Sequence, residues 1–236
     1  MQTVSLVQDT DEAEAVANFF KSVWADGPEV VPFDLILAAI HVGSYCAFVQ
    51  TSGQVVAASF GLLGRYRDKD ILHSHVTASK VAGAGYALKL HQRDWANAIG
   101  LHAITWTFDP LVRRNCYFNF VKLGAYAVEY LPDFYGTMTD SINVGDKSDR
   151  LFAYWDVTEA KGTNPNPLTD SQNAGSIQTF QVALPEDIEA LRKVDLAQAL
   201  VWRERVAGQL QPKLDTGWRV TGMSPDRTHL VLTAPN

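Results

Sequence analysis

Lys80, Gly83 and Gly85 stand in the pattern Lys-x-x-Gly-x-Gly, directly before a helix-like run. Glycine has no Cβ, so a ligand can approach the main chain closely and a positive φ costs little. A helix N-terminus offers bare N–H groups and roughly half a positive charge. The chemistry such a loop offers is phosphate binding, with Lys80 adding a full charge; the bland alternative, and the commoner one for two glycines between a strand and a helix, is simple turn chemistry. A dinucleotide loop wants a third glycine, and its absence sets that option aside. Just upstream, His73 and His75 are spaced to share one face of a strand. Either could act as a base near neutral pH, with His75 ranked first because it is nearer the loop. The bland alternative is a pair of satisfied sheet histidines. Their His-x-His spacing also fits a metal, although the third ligand it needs, Asp109 or His102, has no sequence argument behind it. Glu129 could be a base or an amine-binding carboxylate, or an ordinary solvated strand residue. Ser74 has no Gly-x-Ser-x-Gly setting, which argues against a serine nucleophile.

These residues need a frame. Val4 to Val7 reads as a short strand. Asp9 and Thr10 then offer N-caps, Glu12 completes a capping box, and Ala13, Val16, Ala17, Phe20 and Trp24 form a helical stripe ended by Gly27-Pro28. Pro32 to His41 predicts a second helix. Tyr45 to Gln50 and Gln54 to Leu63 predict a hairpin, its second strand apolar on both faces and therefore central. Arg65 to Lys69 reads as a charged turn and His73 to Thr77 as a short polar strand. Tyr86 to Ile99 predicts a helix with Ala84, Leu88, His91, Trp95 and Ile99 on its core face, and with Lys89, Gln92, Arg93 and Asn97 on others. An apolar strand, His102 to Phe108, follows. Trp106 and Phe108 are either core residues or walls of a pocket.

Arg113 to Leu123 predicts a short helix stopped by Gly124. Ala125 to Leu131 and Leu151 to Val157 predict strands. Between them lies a long loop, Asp133 to Asp149, whose Asp133, Asp140, Asn143 and Asp146 could bind a polar or cationic acceptor. Lys161 to Ser176 has linker composition. Beyond it come a strand (Ile177 to Leu184), a helix from Pro185 to about Gly208 and a closing pair of strands, Trp218 to Met223 and His229 to Thr233. In that helix Leu191, Ala199, Trp202 and Val206 form the expected packing stripe, with Arg192, Arg203 and Arg205 on the solvated side. The expected division is a domain over 1–160, a linker over 161–176 and an extension over 177–236. The extension is expected to cover the first domain or to form a homodimer contact.

With 236 residues, 47% hydrophobic and 19% charged, the chain reads as a soluble globular protein. Its net charge of −6 argues against a nucleic-acid partner. No apolar run is long enough to span a bilayer, and no signal peptide is legible at the start, so the expectation is a cytoplasmic protein with no membrane partner. Cys46 and Cys116 lie far apart in apolar segments and read as buried free thiols.

The order strand, helix, helix, hairpin, strand, glycine loop, helix, strand, helix, strand, strand resembles the GCN5-related N-acetyltransferase (GNAT) superfamily. Lys80-Val81-Ala82-Gly83-Ala84-Gly85 resembles its pyrophosphate loop, Gly85-Tyr86-Ala87-Leu88-Lys89 the first turn of its CoA helix, and Lys122-Leu123-Gly124-Ala125 the Lys-Leu-Gly-Phe that ends its later helix. Trp106 to Pro110, Arg114-Asn115 and Phe134-Tyr135-Gly136 are similar to an uncharacterised bacterial branch of predicted acetyltransferases with a C-terminal extension. The resemblance implies an α/β (α+β) fold with a mixed, mostly antiparallel sheet flanked by helices, plus a smaller C-terminal α/β extension. It implies acetyl-CoA or another acyl-CoA as cofactor, and transfer of the acyl group to an amine, here that of a small molecule. The pantetheine arm would pair with the main chain of His75, Val76 and Thr77. The pyrophosphate would take the N–H groups of Val81, Ala82, Gly83, Ala84, Gly85 and Tyr86, and Asn115 is a further expected cofactor contact. Two departures stand out. Lys80-Val81 replaces the usual Arg-Gly, and Phe120 occupies the position of the family's acidic tyrosine. Tyr117, Tyr126 and Tyr135 are the neighbouring phenols that could substitute. The other readings are a GNAT fold that binds acyl-CoA or a partner without chemistry, and a metal-dependent enzyme built on His73 and His75.

Overall fold

Helix starts and tight turns set the first part of the chain. The computed structural model describes residues 3–24, 30–136, 145–158 and 178–235. Gly27 and Pro28, Asp140 and Asn143, and the linker over 161–176 lie outside the described residues. Two compact units are formed, Met1–Trp106 with Asp156–Thr158, and Thr107–Trp155 with Glu159–Asn236. Among the described residues, no helix is long and apolar enough to cross a membrane.

The first unit contains β1 (Val4–Leu6), α1 (Thr10–Val23), α2 (Phe33–His41), β2 (Tyr45–Thr51), β3 (Gln54–Tyr66), β4 (Lys69–Ser79), α3 (Ala84–Ala98) and the start of β5 (Ala103–Phe108). The strands follow the order β1-β2-β3-β4-β5, so β3 is central as its two apolar faces require. All pairs are antiparallel except β4 with β5. Asp9 caps α1 by accepting from Glu12 N at 2.9 Å, and Glu12 Oε2 accepts from Gln8 N at 2.7 Å. Val16, Phe20, Ile36, Cys46, Phe60, Val76 and Ala78 share one buried core.

Two expectations are corrected here. The turn after β3 is not five residues long. Arg65 pairs with Asp70 and Tyr66 with Lys69, leaving only Arg67 and Asp68 to turn, at φ 46° and 62°. Positive φ at both central positions matches the twist of a tight hairpin, so β4 runs the full length from Lys69 to Ser79. The second correction concerns α3. Its buried face is Ala84, Leu88, Lys89, Gln92, Arg93 and Ala96, while Ile99 is exposed. Three polar side chains therefore lie where the apolar pattern alone would not put them.

The β3–β4 ladder carries a bulge. Phe60 faces Val76, but Leu62 faces His73, so Ser74 and His75 stand opposite Gly61. A Cβ on Gly61 would lie 3.1 Å from His73 O and from Leu72 Cγ. Only a glycine admits this close approach without displacement, and the extra residue re-aims the strand.

The second unit holds the end of β5, α4 (Arg113–Cys116), which continues as a π-helical turn over Tyr117–Lys122, then β6 (Tyr126–Leu131), β7 (Arg150–Asp156), β8 (Thr179–Ala183), α5 (Ile188–Val194), α6 (Leu196–Asp215), β9 (Arg219–Met223) and β10 (His229–Thr233). Its strand order is β7-β6-β9-β10-β8, and the pairs β6–β7, β6–β9, β9–β10 and β8–β10 are antiparallel. Gly124, at φ 73°, ends the π-helical segment. The expected single C-terminal helix is two helices. Asp195 ends α5 and caps α6 by accepting from Gln198 N at 2.9 Å, and α6 continues past Gly208 to Asp215.

Arg192 and Arg203 are not solvated. They are buried against Asp109 and Asp146, with Arg203 Nη1 to Asp109 Oδ1 at 2.8 Å, Arg203 Nη2 to Asp146 Oδ2 at 2.7 Å and Arg192 Nε to Asp146 Oδ2 at 2.8 Å. Arg205 is exposed and stacks on Trp202. Two cations and two carboxylates balance, so neither pair is left uncompensated in the interior. Burial works to raise the Asp109 carboxyl, but hydrogen bonds and charge from Arg203, then Arg192, overcome it and hold the group at about 2. Its contribution is complete above the ordinary 3.8 and is lost as pH falls from there toward 2. Arg203→Met leaves two buried carboxylates to share the single cation of Arg192 and is expected to cost about 3–5 kcal/mol in urea unfolding. A loss under 1 kcal/mol would contradict a cooperative cluster.

Candidate functional site

β4 delivers its last residues into the glycine loop. Lys80 N donates to Val56 O at 2.9 Å, Val81 N to Ser79 Oγ at 3.2 Å, and Ser79 Oγ to Val81 O at 2.7 Å. Gly83 is the N-cap of α3 at φ 83°, a left-handed conformation that favours glycine. Ala84 N is used by Val81 O at 3.3 Å. The N–H groups of Ala82, Gly83 and Gly85 have no acceptor among the described residues. Added to the helix dipole, they make a donor cradle of the kind phosphate takes. The Lys80 side chain turns back to α1, with Nζ donating to Ser22 Oγ at 2.7 Å and lying 5.7 Å from the Phe19 ring centre.

The two strands flanking the approach to this loop part company early. β4 and β5 pair in parallel at only three positions, Ile71 with Ala103, Leu72 with Ile104 and His73 with Thr105. Ser74 and Trp106 would be the next pair and are not one. His73 Nδ1 lies 3.1 Å from Thr105 Oγ1, at the last joined position. Burial first, then the charges of His75 and Lys89, push His73 down to about 4, which makes it neutral at pH 7 but a weak base. His75 is more open to solvent than His73, but its ring is partly covered, and that partial burial lowers it too, with a main-chain hydrogen bond at Val30 opposing. Of the two, His75 is the better placed to exchange a proton with a solute.

Beneath the parting strands lies a buried polar chain that the apolar pattern of α3 conceals. Lys89, only 4% exposed, donates from Nζ to Ser74 Oγ at 2.9 Å and to Gln92 Oε1 at 3.0 Å. Gln92 Nε2 donates to Ser59 Oγ at 3.2 Å, which meets Thr77 Oγ1 at 2.8 Å. An unbroken strand would send residues 74 and 77 to opposite faces. Both are tied to α3 because the bulge lies between them. Lys89 Nζ also sits 4.1 Å from the centre of the Trp106 ring, a cation–π contact. Burial pushes Lys89 down to about 7. The sequence signal for this residue is its place four residues after Gly85, but a lysine on a helix ordinarily reads as solvated.

The remaining candidates belong to the second unit. Tyr117 is half-buried in the π-helical turn with the Arg227 guanidinium 3.9 Å from its ring centre. Tyr126 stacks on Tyr154 at 5.4 Å and under Arg219. Tyr135 is exposed, its hydroxyl 2.9 Å from Thr107 Oγ1. Glu129 is half-buried in β6 at a second bulge, and Asn115 is half-buried in α4. Phe120 is buried edge-on against Phe108 at 5.6 Å, a core contact with no polar atom. Asp133, Asp146 and Asp149 serve the fold. Asp133 accepts from Ser148, Asp149 from Tyr130, and Asp146 from the two arginines. Among the described residues no group of three His, Cys, Asp or Glu gathers for a metal. Cys46 and Cys116 are buried free thiols.

Lys89 supplies a pH test. Its folded value near 7 lies below the ordinary 10.5, so between these limits the unfolded chain holds the extra proton and stability rises with pH. The wild type is expected to gain stability from pH 7 to 10 by up to about 1.4 kcal/mol per pH unit from this group. Lys89→Met should remove that slope. An unchanged slope in urea unfolding across the series would contradict a buried, unpaired ammonium.

No family model matches the sequence, and no curated protein matches it. Solved structures do. An aminoglycoside 6'-acetyltransferase type Ii aligns with a TM-score of 0.52 at 12% identity, over 67% of this chain and 99% of its own. The ribosomal-protein-S18-alanine N-acetyltransferase from Escherichia coli gives 0.51 at 14%, over 69% and 98%. The yncA protein from Salmonella typhimurium, with its cofactor acetyl-CoA, gives 0.52 at 18%, over 68% and 96%. The neighbours are covered almost whole, while about a third of this chain has no counterpart in them. Over the shared part, which includes the glycine loop, the bulged β4 and the start of β5, the chain has the fold of these acetyltransferases, the GNAT fold.

Proposed function

We propose that this chain is an acyl-CoA-dependent N-acyltransferase, with acetyl as the donor group and an amine of a small molecule as the acceptor. The observation that carries this is the loop. Three main-chain donors, those of Ala82, Gly83 and Gly85, lie open at the start of α3, next to a strand whose edge is released from its neighbour after His73. The cradle fits a pyrophosphate without relying on side chains, which offsets the absence of the usual arginine. An extended pantetheine arm carries amides that can pair with the released edge at His75, Val76 and Thr77, as an added strand would. The structural neighbours are named as acetyltransferases, one of them as a putative one that carries acetyl-CoA.

When bound, acyl-CoA supplies an activated thioester carbonyl. The chain's own part is to hold it, to accept the proton that the attacking amine loses and to return one to the leaving sulfur. His75 is assigned the base, directly or through a water, with His73 behind it because its low proton affinity suits it less. Tyr117 and Tyr126 are the phenols assigned to the leaving sulfur, and Glu129 is assigned to the acceptor's ammonium group. Asn115 is assigned to the cofactor. A cytoplasmic setting completes the proposal, and the net charge of −6 disfavours nucleic acid as the acceptor. A second reading, an acyl-CoA-binding protein without chemistry, draws on one observation. Phe120, where the family resemblance expects a phenol, is committed to the core against Phe108.

Thermal unfolding with acetyl-CoA, longer acyl-CoAs and free CoA tests the reading, against Gly83→Trp as the blocked loop. A hundredfold excess over Kd should stabilise the wild type by about 2.7 kcal/mol, and the ligand-dependent rise should vanish in the variant. Thiol release with an amine panel separates the two readings, since only the transferase consumes acetyl-CoA. No thermal shift at millimolar ligand would sink both. A His75→Ala variant that loses at least tenfold in kcat at pH 7 while retaining the shift would assign the base. Full activity in that variant would remove His75 from the chemistry.

A further inference from the structure

Lys89 holds an unusual position. β4 and β5 separate after His73 and Thr105, and the two residues that would form the next pair are Ser74 and Trp106. The Lys89 ammonium touches both, donating to Ser74 Oγ on one strand at 2.9 Å and lying 4.1 Å above the Trp106 ring on the other. It enters from α3, the same helix whose N-terminus forms the glycine loop. Among the described residues no carboxylate pairs with it, and its other partner is the neutral Gln92. A buried cation without a counter-ion is a costly choice for simple filling, since a methionine of similar length would fill the same space without the desolvation penalty. A cation does something that methionine cannot. It bonds a hydroxyl and an aromatic face at once, and so fixes the separation of the two groups.

We propose that Lys89 is a positioning residue that braces the fork between β4 and β5, setting the gap in which the acyl-CoA arm is laid. The brace is anchored, because Gln92 carries it on to Ser59 and Thr77 and so ties the bulged stretch of β4 to α3 on both sides of His75. Gly61 completes the arrangement by letting β3 come close to the bulge. Without the ammonium, Ser74 loses its partner from α3 and Trp106 loses its cation contact. The strands would then be free to close toward regular parallel pairing, or to drift. The proposal rests on the acyl-CoA reading given above.

The test compares the wild type with Lys89→Met, Lys89→Arg and Ser74→Ala by calorimetric titration of free CoA and by thermal unfolding. Lys89→Met is expected to be as stable as the wild type at pH 7 or more so, because an unpaired buried charge is gone, yet to bind CoA at least tenfold more weakly. Ser74→Ala should weaken binding in the same direction, and Lys89→Arg, which keeps the charge, should recover part of it. In the catalysed reaction the loss should appear in KM for acetyl-CoA, with the acceptor KM within about threefold of its wild-type value. A purely structural role predicts that stability and binding fall together, and that result would overturn the proposal. So would CoA affinity within twofold of the wild type in both Lys89→Met and Ser74→Ala. A wild type that binds no CoA overturns the acyl-CoA reading and this inference with it. Wild-type binding with unaltered variants overturns this inference alone.

Discussion

The main chain of β4 cannot be paired along both edges for its whole length, and that constraint organises the first unit. On one side β3 follows it from Lys69 to Ser79. On the other, β5 joins it at three positions and then leaves. Peptide groups need partners wherever water is excluded, so an edge released beside a helix N-terminus is a place where another extended chain of amides can be accommodated. The bulge opposite Gly61 and the polar chain from Lys89 to Thr77 both act on this stretch. Local geometry, packing and the candidate function therefore meet in about ten residues of one strand.

The two units handle buried charge in opposite ways. Around Asp109, two arginines and two aspartates neutralise one another, and the cluster can be understood as structure alone. Around Lys89 the partners are neutral, and the amine, charged only below about pH 7, has no counter-ion. An interior that tolerates the second arrangement gives up stability at that point, and such local losses collect at functional sites. This contrast is the reason that Lys89, and not the more heavily bonded Arg203, is the residue given a role in the proposed reaction.

Much of the frame could be read in advance. The Asp9 cap, the first two helices, the central β3, the glycine loop and the closing strands follow from turn chemistry and apolar periodicity, which are local properties. What could not be read is polar burial. Lys89 and Gln92 are buried because Ser59, Ser74 and Thr77 wait for them across the sheet, and those partners lie 15 and 33 residues away for the Lys89–Ser74 and Gln92–Ser59 contacts. Arg192 and Arg203 reach Asp109 across 83 and 94 residues. A period analysis scores each of these side chains as solvent-facing. The Arg67–Asp68 turn was also hidden, because neither residue is glycine or asparagine, the usual marks of a two-residue turn with positive φ. The bulge had one local clue, Gly61 inside an apolar strand. The site histidines were placed on β4 by alternation, but only the ladder shows that the strand is released just after the first of them.

The most direct measurement is a crystal structure of the protein with CoA bound. The account predicts pyrophosphate oxygens at about 3 Å from the N–H groups of Ala82, Gly83 and Gly85, with the pantetheine amides paired to the main chain of β4 beyond His73 and Lys89 still bridging Ser74 and Trp106. CoA bound elsewhere, with the glycine loop facing solvent and the edge of β4 unoccupied, would contradict it.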